Sequence, residues 1–129
     1  MSRPIATLFG GFGRIGITDM DCPLATHVHP HLHAIIKLAG ADTSFQVRDA
    51  LCPVTADSAV LVNAWEPHAW TFRRERGPTR FLTLYLDPKW LSQAGLTLLS
   101  SFHICLPASM LTYLLPGLFP FAGNSALLI

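Results

Sequence analysis

Short apolar runs separated by turn residues recur along most of the chain. Runs rich in β-branched and aromatic residues, bounded by glycine, proline, asparagine or aspartate, are typical of β-strands. The predicted strands are Ile5 to Phe9, Arg14 to Met20, His33 to Leu38, Thr43 to Arg48, Ser58 to Asn63, His68 to Arg73 and Phe81 to Leu86. The stretch from Asp49 to Asp57 is predicted to be a loop, and Asp87 with Pro88 predicts the start of a short helix. This pattern predicts an all-β sandwich or barrel.

A glycine-rich segment lies between the first two predicted strands. Gly11, Gly13 and Gly16 in GFGRIG have the G-x-G-x-x-G spacing of dinucleotide-binding loops. That loop works only where a helix follows directly and an acidic residue lies about twenty positions later. The following residues, ITDMDCPLATHVHP, favour strand and turn, and AIIKL further along contains no acid. The segment is therefore predicted to be a β-turn or bulge.

The composition fits one domain with an ample apolar core. The chain has 129 residues, of which 50% are hydrophobic, and its formal net charge is +1. This length is typical of a single domain. The charged residues are few and balanced in sign, so the sequence shows no basic surface of the kind that binds nucleic acid. Cys22, Cys52 and Cys105 are odd in number and lack C-x-x-C spacing, which indicates free thiols in a reducing compartment. With no apolar run of signal-peptide length at the amino terminus, the sequence predicts a cytoplasmic protein.

The carboxy-terminal part of the chain is unusually apolar, since no Asp, Glu, Lys or Arg follows Lys89. The stretch from Ile104 to Ala122 is nearly long enough to span a bilayer, but prolines interrupt it. We predict short helices here, one of them from Ala108 to Leu115, that bury this surface against the barrel or a second subunit. The expected organisation is a homodimer without a membrane span, with a barrel in residues 1–88 and an apolar helical segment in residues 89–129.

Four histidines occupy every second position in the segment THVHPHLH. These residues are His27, His29, His31 and His33, four of the six histidines in the chain. Side chains two positions apart in an extended backbone point to the same side, so this spacing directs several imidazoles into one volume. Converging imidazoles suit zinc, iron, copper and nickel better than calcium or magnesium. The segment therefore predicts a site for a divalent transition metal, with zinc, iron, manganese, nickel and copper as candidates.

Pro30 determines which histidines are predicted to meet. Because proline marks a sheet edge or a turn, we expect a strand, a turn and a second strand, with His31 at the exposed bend. His68 is a distant candidate, since the proline before it sets the turn that would direct its ring. The predicted metal ligands are His27, His29, His33 and His68. His31 is a secondary candidate.

Two further residues have alternative interpretations. Glu66, two positions before His68, is a secondary ligand or a hydrogen-bond partner of the site, or it faces solvent. Lys37 lies four positions after His33, so the two side chains are on the same face of the predicted strand. The Lys37 side chain either points into a ligand pocket or extends to the rim of that pocket. An H-x-H-x-H-x-H run can also take up metal adventitiously during purification. No residue is nominated as catalytic.

The histidine spacing resembles the first motif of the cupin superfamily. That motif has His-x-His, three residues, a further ligand position, six residues and a glycine. It reads here as His27, His29, His33 and Gly40. The family usually has glutamate at the position of His33, and of the second motif only the histidine is retained, as His68. The resemblance implies a small cupin-like barrel, a double-stranded β-helix or jelly roll, followed here by short carboxy-terminal helices.

A second likeness covers roughly Leu8 to Leu91. GGFGRIGITDMD, AVLVNAWEPHAW and FLTLYLDPKWL look like the amino-terminal cupin-type domain of AraC-type transcription regulators. This resemblance implies a domain that senses a small-molecule effector and dimerises. DNA would be contacted only through a carboxy-terminal helix-turn-helix domain, which this chain does not contain. The alternative is a stand-alone cupin metalloprotein or metalloenzyme of dioxygenase or isomerase type.

Overall fold

A computed structural model describes residues 2–93 and 103–107 of the chain. These ranges form ten β-strands, an α-helix and a short 3-10 helix. The strands are β1 Arg3–Gly10, β2 Gly13–Met20, β3 Leu24–His27, β4 Leu32–Ala39, β5 Thr43–Val47, β6 Ala50–Val54, β7 Ser58–Val62, β8 His68–Trp70, β9 Thr79–Leu86 and β10 His103–Pro107. Helix α1 is Pro88–Gln93, and the 3-10 helix is Arg74–Arg76. The predicted all-β class is confirmed.

The strands form two antiparallel sheets. The larger sheet has the order β1-β2-β9-β4-β7-β10, and the smaller sheet has the order β3-β8-β5-β6. Four of the pairings are nested along the chain: β5 pairs with β6, β4 with β7, β3 with β8 and β2 with β9. Neither sheet closes on itself. The nesting brings the chain segments around β3, β4 and β8 to one end of the fold.

The main core lies between the two sheets. It combines apolar side chains of the larger sheet, Met20, Ile35, Val60, Val62 and Phe81, with those of the smaller sheet, Phe45, Val47, Cys52, Val54 and Trp70. A second cluster covers the other face of the larger sheet and includes Leu32, Ala34, Ala59, Leu61, Leu82, Leu84, Leu86 and Leu91. Strands β4, β7 and β9 therefore bury both faces. This explains why β7 and the middle of β4 are nearly continuous apolar runs rather than alternating ones.

The glycine-rich segment forms the hairpin between β1 and β2, as predicted. Gly10 pairs with Gly13, so the turn lies at Gly11 and Phe12. Gly13 has a φ of 126°, and a Cβ placed there would lie 2.0 Å from the carbonyl oxygen of Tyr85. Only glycine tolerates this combination of backbone angle and close approach. Gly13 therefore serves a tight turn against β9, whereas a Cβ at Gly11 would meet no atom within 4 Å.

Two local predictions have different outcomes. The predicted loop from Asp49 to Asp57 is wrong over Ala50–Val54, because those residues form β6. Pro53 misleads here, since β6 pairs only with β5 within the smaller sheet, and an edge strand tolerates a missing N–H. The predicted helix cap is confirmed: Oδ1 of Asp87 accepts hydrogen bonds from the backbone N–H groups of Lys89 at 2.7 Å and Trp90 at 3.4 Å.

The carboxy-terminal predictions lie mostly outside the described residues. This applies to the helix from Ala108 to Leu115, to any helix nearer the terminus and to a dimer contact made by them. The pattern did not predict β10, which pairs with β7 at the edge of the larger sheet. Within residues 2–93 and 103–107, no helix has the length and apolar character needed to cross a membrane.

Candidate metal centre

The histidine segment joins the two sheets at one end of the sandwich. Strand β3 of the smaller sheet ends at His27, and β4 of the larger sheet begins at Leu32. His68 begins β8 and pairs with His27 on one side and with Val47 on the other. His33 lies on the larger sheet opposite Tyr85. The expected strand, turn and strand thus brings histidines from both sheets to the same end of the core.

Three histidines form a compact group of potential metal ligands. Their ligand atoms, one each from His27, His29 and His68, all lie within 4.8 Å of one another. The ring centroids of His27 and His68 are 4.3 Å apart, and those of His29 and His68 are 4.8 Å apart. These three side chains are therefore close enough to bind one metal ion.

Hydrogen bonds to backbone carbonyls orient all three rings. Nδ1 of His27 lies 2.9 Å from the carbonyl oxygen of Ala25, Nδ1 of His29 lies 3.1 Å from that of His31, and Nδ1 of His68 lies 2.8 Å from that of Glu66. A carbonyl oxygen only accepts, so each Nδ1 carries the proton and each Nε2 retains its lone pair. Metal-binding histidines characteristically donate their other ring N–H to such a partner.

The Nε2 atom of His29 is buried and has no hydrogen-bond partner among the described residues. A buried polar nitrogen without a partner is unfavourable, because it has lost its bond to water without gaining another. A metal ion would satisfy this lone pair together with those of His27 and His68. The unpartnered Nε2 therefore favours a metal site over the alternative that these histidines only fill space in the core.

His33 adjoins the group without belonging to it. Its Nδ1 lies 3.3 Å from Nε2 of His68, and its buried Nε2 has no partner among the residues described. The ring stacks on Tyr85 with a centroid distance of 4.2 Å and an interplanar angle of 17°. The guanidinium carbon of Arg14 lies 4.2 Å from the centroid of the same Tyr85 ring. Because Nδ1 of His68 donates to Glu66, this hydrogen bond uses the Nε2 lone pair of His68, and a metal ion bound at that nitrogen would take its place.

Burial lowers the pKa of His29, His33 and His68. Desolvation, followed by repulsion from His68 and His27, lowers the pKa of His29 to about 4. Desolvation and the neighbouring histidines also lower the pKa of His33 well below its usual value, and desolvation lowers the pKa of His68. Neutral imidazole is the form that binds metal. Protons therefore compete weakly with a metal ion near neutral pH.

The remaining sequence candidates lie elsewhere. His31 lies in the connection between β3 and β4, and its carbonyl oxygen accepts the hydrogen bond from His29, while its own ring is not in the ligand group. Lys37 donates to Asp42 at 2.6 Å and to the carbonyl of Gly40 at 3.0 Å, four positions along β4 from His33. The structure does not bring Lys37 to the histidines.

Glu66 contributes its backbone rather than its carboxylate. Its carbonyl holds His68, whereas its buried side chain receives two hydrogen bonds from Arg48, one from Nε and one from Nη2 at 3.2 Å. The backbone N–H of Arg48 also donates to the carbonyl of Pro67 at 3.0 Å. Arg48 thus anchors the turn that presents His68.

Sequence reasoning missed three contributors to this end of the fold. Arg48 and Trp65 have positive φ angles of 51° and 64°, and the Trp65 N–H donates to the carbonyl of His29 at 2.9 Å. Tyr85 reaches His33 through the pairing of β4 with β9. The register between strands distant in sequence places Tyr85, and no local pattern reports it.

Comparisons with known proteins add no relative. No protein-family model matches the chain, and no curated protein matches it significantly. The likeness to cupins and to AraC-type regulators therefore stays a prediction from the quoted motifs.

Proposed function

We propose that this chain binds a divalent transition metal ion through Nε2 of His27, His29 and His68. Zinc, iron, nickel and copper are the candidate ions that imidazole nitrogen suits, and manganese, which favours oxygen donors, is the fifth candidate. The observation that carries the proposal is the convergence of three ligand atoms while each Nδ1 is held by a backbone carbonyl. His33 adjoins the group on the larger sheet, and in the absence of metal its Nδ1 contacts Nε2 of His68.

The composition of the group argues against adventitious chelation by the histidine run alone. A flexible H-x-H-x-H-x-H chelate would draw its ligands from the run itself. The observed group instead leaves out His31 and includes His68, which joins through the pairing of β3 with β8. The folded sheet is therefore part of the proposed site.

We propose further that the fold is a cupin-type jelly roll. Nested antiparallel pairs, with β5 and β6 innermost and β2 and β9 outermost, support this assignment. Jelly rolls distribute such pairs over two facing sheets, and cupins are among their members. The histidines at one end of the two sheets agree with the motif spacing.

The proposed cellular role is that of a ligand-sensing and dimerisation domain of an AraC-type regulator in the cytoplasm. The support is the resemblance of GGFGRIGITDMD, NAWEPHAW and LDPKWL to that family. In this role a small-molecule effector would bias one arrangement of the homodimer, and an attached domain would contact DNA. The coding sequence after the codon for Ile129 tests the role. Two helix-turn-helix patterns would support it, and an immediate stop codon would contradict it.

A stand-alone cupin metalloenzyme is the second candidate. The favouring observation is that the group offers three protein ligands, and catalytic metal sites characteristically combine three ligands with an open position. Oxygen consumption by the metal-loaded protein with candidate substrates would distinguish an oxygenase from a sensor.

Metal binding is tested by isothermal titration calorimetry, in which zinc is added to the metal-free protein. We expect one ion per chain. His68→Ala should weaken zinc binding by more than the roughly 10–100-fold that loss of an outer-shell partner costs. His31→Ala is the matched control, since it removes a histidine of the same run from outside the ligand group. Equal losses in both variants, or no loss in either, would refute the proposed site.

A further inference from the structure

We infer that the metal in this site takes a small anionic molecule, with a carboxylate as the simplest example, as an additional ligand. The inference rests on the proposed metal site and concerns the charge that the site leaves uncompensated. An imidazole that binds a metal through Nε2 carries only its Nδ1 proton and is neutral, and this would hold for His27, His29 and His68 alike. A divalent ion bound by them keeps its two positive charges.

The carboxylate that the sequence places beside the site does not supply the missing charge. Glu66 precedes His68 by two residues, but both of its carboxylate oxygens accept hydrogen bonds from the guanidinium of Arg48. A paired and buried carboxylate is costly to pull away from its partner, since the guanidinium would lose its counter-ion. No aspartate or glutamate joins the ligand group among the described residues.

The surroundings add positive rather than negative charge. The guanidinium of Arg14 lies 4.2 Å from the centroid of the Tyr85 ring, and that ring stacks on His33. A cationic centre near low-dielectric protein is stabilised strongly by an anion in direct contact. The structure therefore favours an anion over a neutral molecule at this centre.

The site offers a coordination position, and the exposed connection between β3 and β4 lies beside it. Three nitrogen ligands leave at least one position of a tetrahedral ion unfilled. His27 and His29 are only partly buried, and Val28 between them is exposed. A small molecule would approach the metal from this side, because it is the solvent-exposed side of the group. A carboxylate fits this position because it combines an oxygen donor with the charge that the protein does not provide.

The test compares acetate with acetamide, which have nearly the same size but differ in charge. Cobalt(II) replaces the native ion, because its visible absorption reports changes in its ligands. The cobalt-loaded protein is titrated with each compound at constant ionic strength. We expect acetate to change the spectrum saturably, with acetamide binding weaker by roughly tenfold or more. By linkage, acetate should raise the apparent affinity for cobalt.

The variant Glu66→Gln controls for the protein's own carboxylate. The amide keeps the shape of the side chain and one acceptor for Arg48 but removes the counter-ion of that guanidinium. We therefore expect weaker cobalt binding in this variant, while the ratio of acetate affinity to acetamide affinity stays at its wild-type value. A large gain in acetate affinity relative to acetamide affinity would mean that Glu66 itself neutralises the ion, and it would overturn the inference. Cobalt binding with no acetate effect, or with equal effects of acetamide, would overturn the inference alone. Absence of cobalt binding would overturn the proposed metal site as well.

Discussion

Acidification should destabilise the metal-free protein well above the pH at which carboxylates titrate. The cause is the group of buried imidazoles, which stay neutral in the folded state and gain protons on unfolding. The pKa of His29 falls from 6.5 to about 4 on folding, mainly through desolvation. Below pH 6.5 the unfolded chain therefore binds more protons than the folded one. The free energy of unfolding decreases as the pH falls through this window.

The magnitude follows from the two pKa values of His29. Linkage gives a loss of about 2 kcal/mol between about pH 7.5 and pH 5, relative to a residue that does not titrate. His29 is only partly buried, and solvent screening reduces its share to about 1 kcal/mol. His33 and His68 contribute in the same direction, because burial lowers the pKa of each.

The assay is urea unfolding at a series of pH values, with a chelator present to exclude metal. The variant His29→Gln replaces the ring with a side chain that does not titrate. We expect its free energy of unfolding to lose about 1 kcal/mol less than that of the wild type over this pH range. Identical pH profiles for the two proteins would refute the argument that burial holds His29 neutral.

Three further outcomes are expected. Free zinc at about 100 times its dissociation constant should raise the free energy of unfolding of the wild type by about 2.7 kcal/mol, and His68→Ala should lose most of this gain in denaturant titrations. Gly13→Ala should destabilise the protein by about 2 kcal/mol or more, since its Cβ would meet the Tyr85 carbonyl at 2.0 Å from a backbone with φ 126°, and unchanged stability would contradict the hairpin geometry. Ile35→Ala should lower the free energy of unfolding by about 2–5 kcal/mol because Ile35 is fully buried. Phe9→Ala should change it little because Phe9 is 72% exposed. Similar losses for the two variants in thermal or chemical unfolding would mean that the core is wrongly assigned.

The sequence determines the local elements of this protein well. Runs of β-branched residues predict most strands, because such side chains suit a pleated and buried backbone. Asp87 followed by Pro88 predicts the helix start, since both effects act within one turn. The exception is β6, where Pro53 indicates a loop in a position that an edge strand can accept.

The composition of the metal centre depends on contacts between distant strands, which the local sequence pattern does not predict. The sequence predicts His27, His29, His33 and His68 as ligands, and the pairing of β3 with β8 is what brings His68 to His27 and His29. The three-residue group does not include His33, and no local pattern predicts this exclusion. The tertiary structure also pairs Glu66 with Arg48, eighteen positions earlier in the chain. Local spacing fixes the direction in which a side chain leaves its own strand. Its neighbours depend on the register between distant strands, which the packing of the whole core sets.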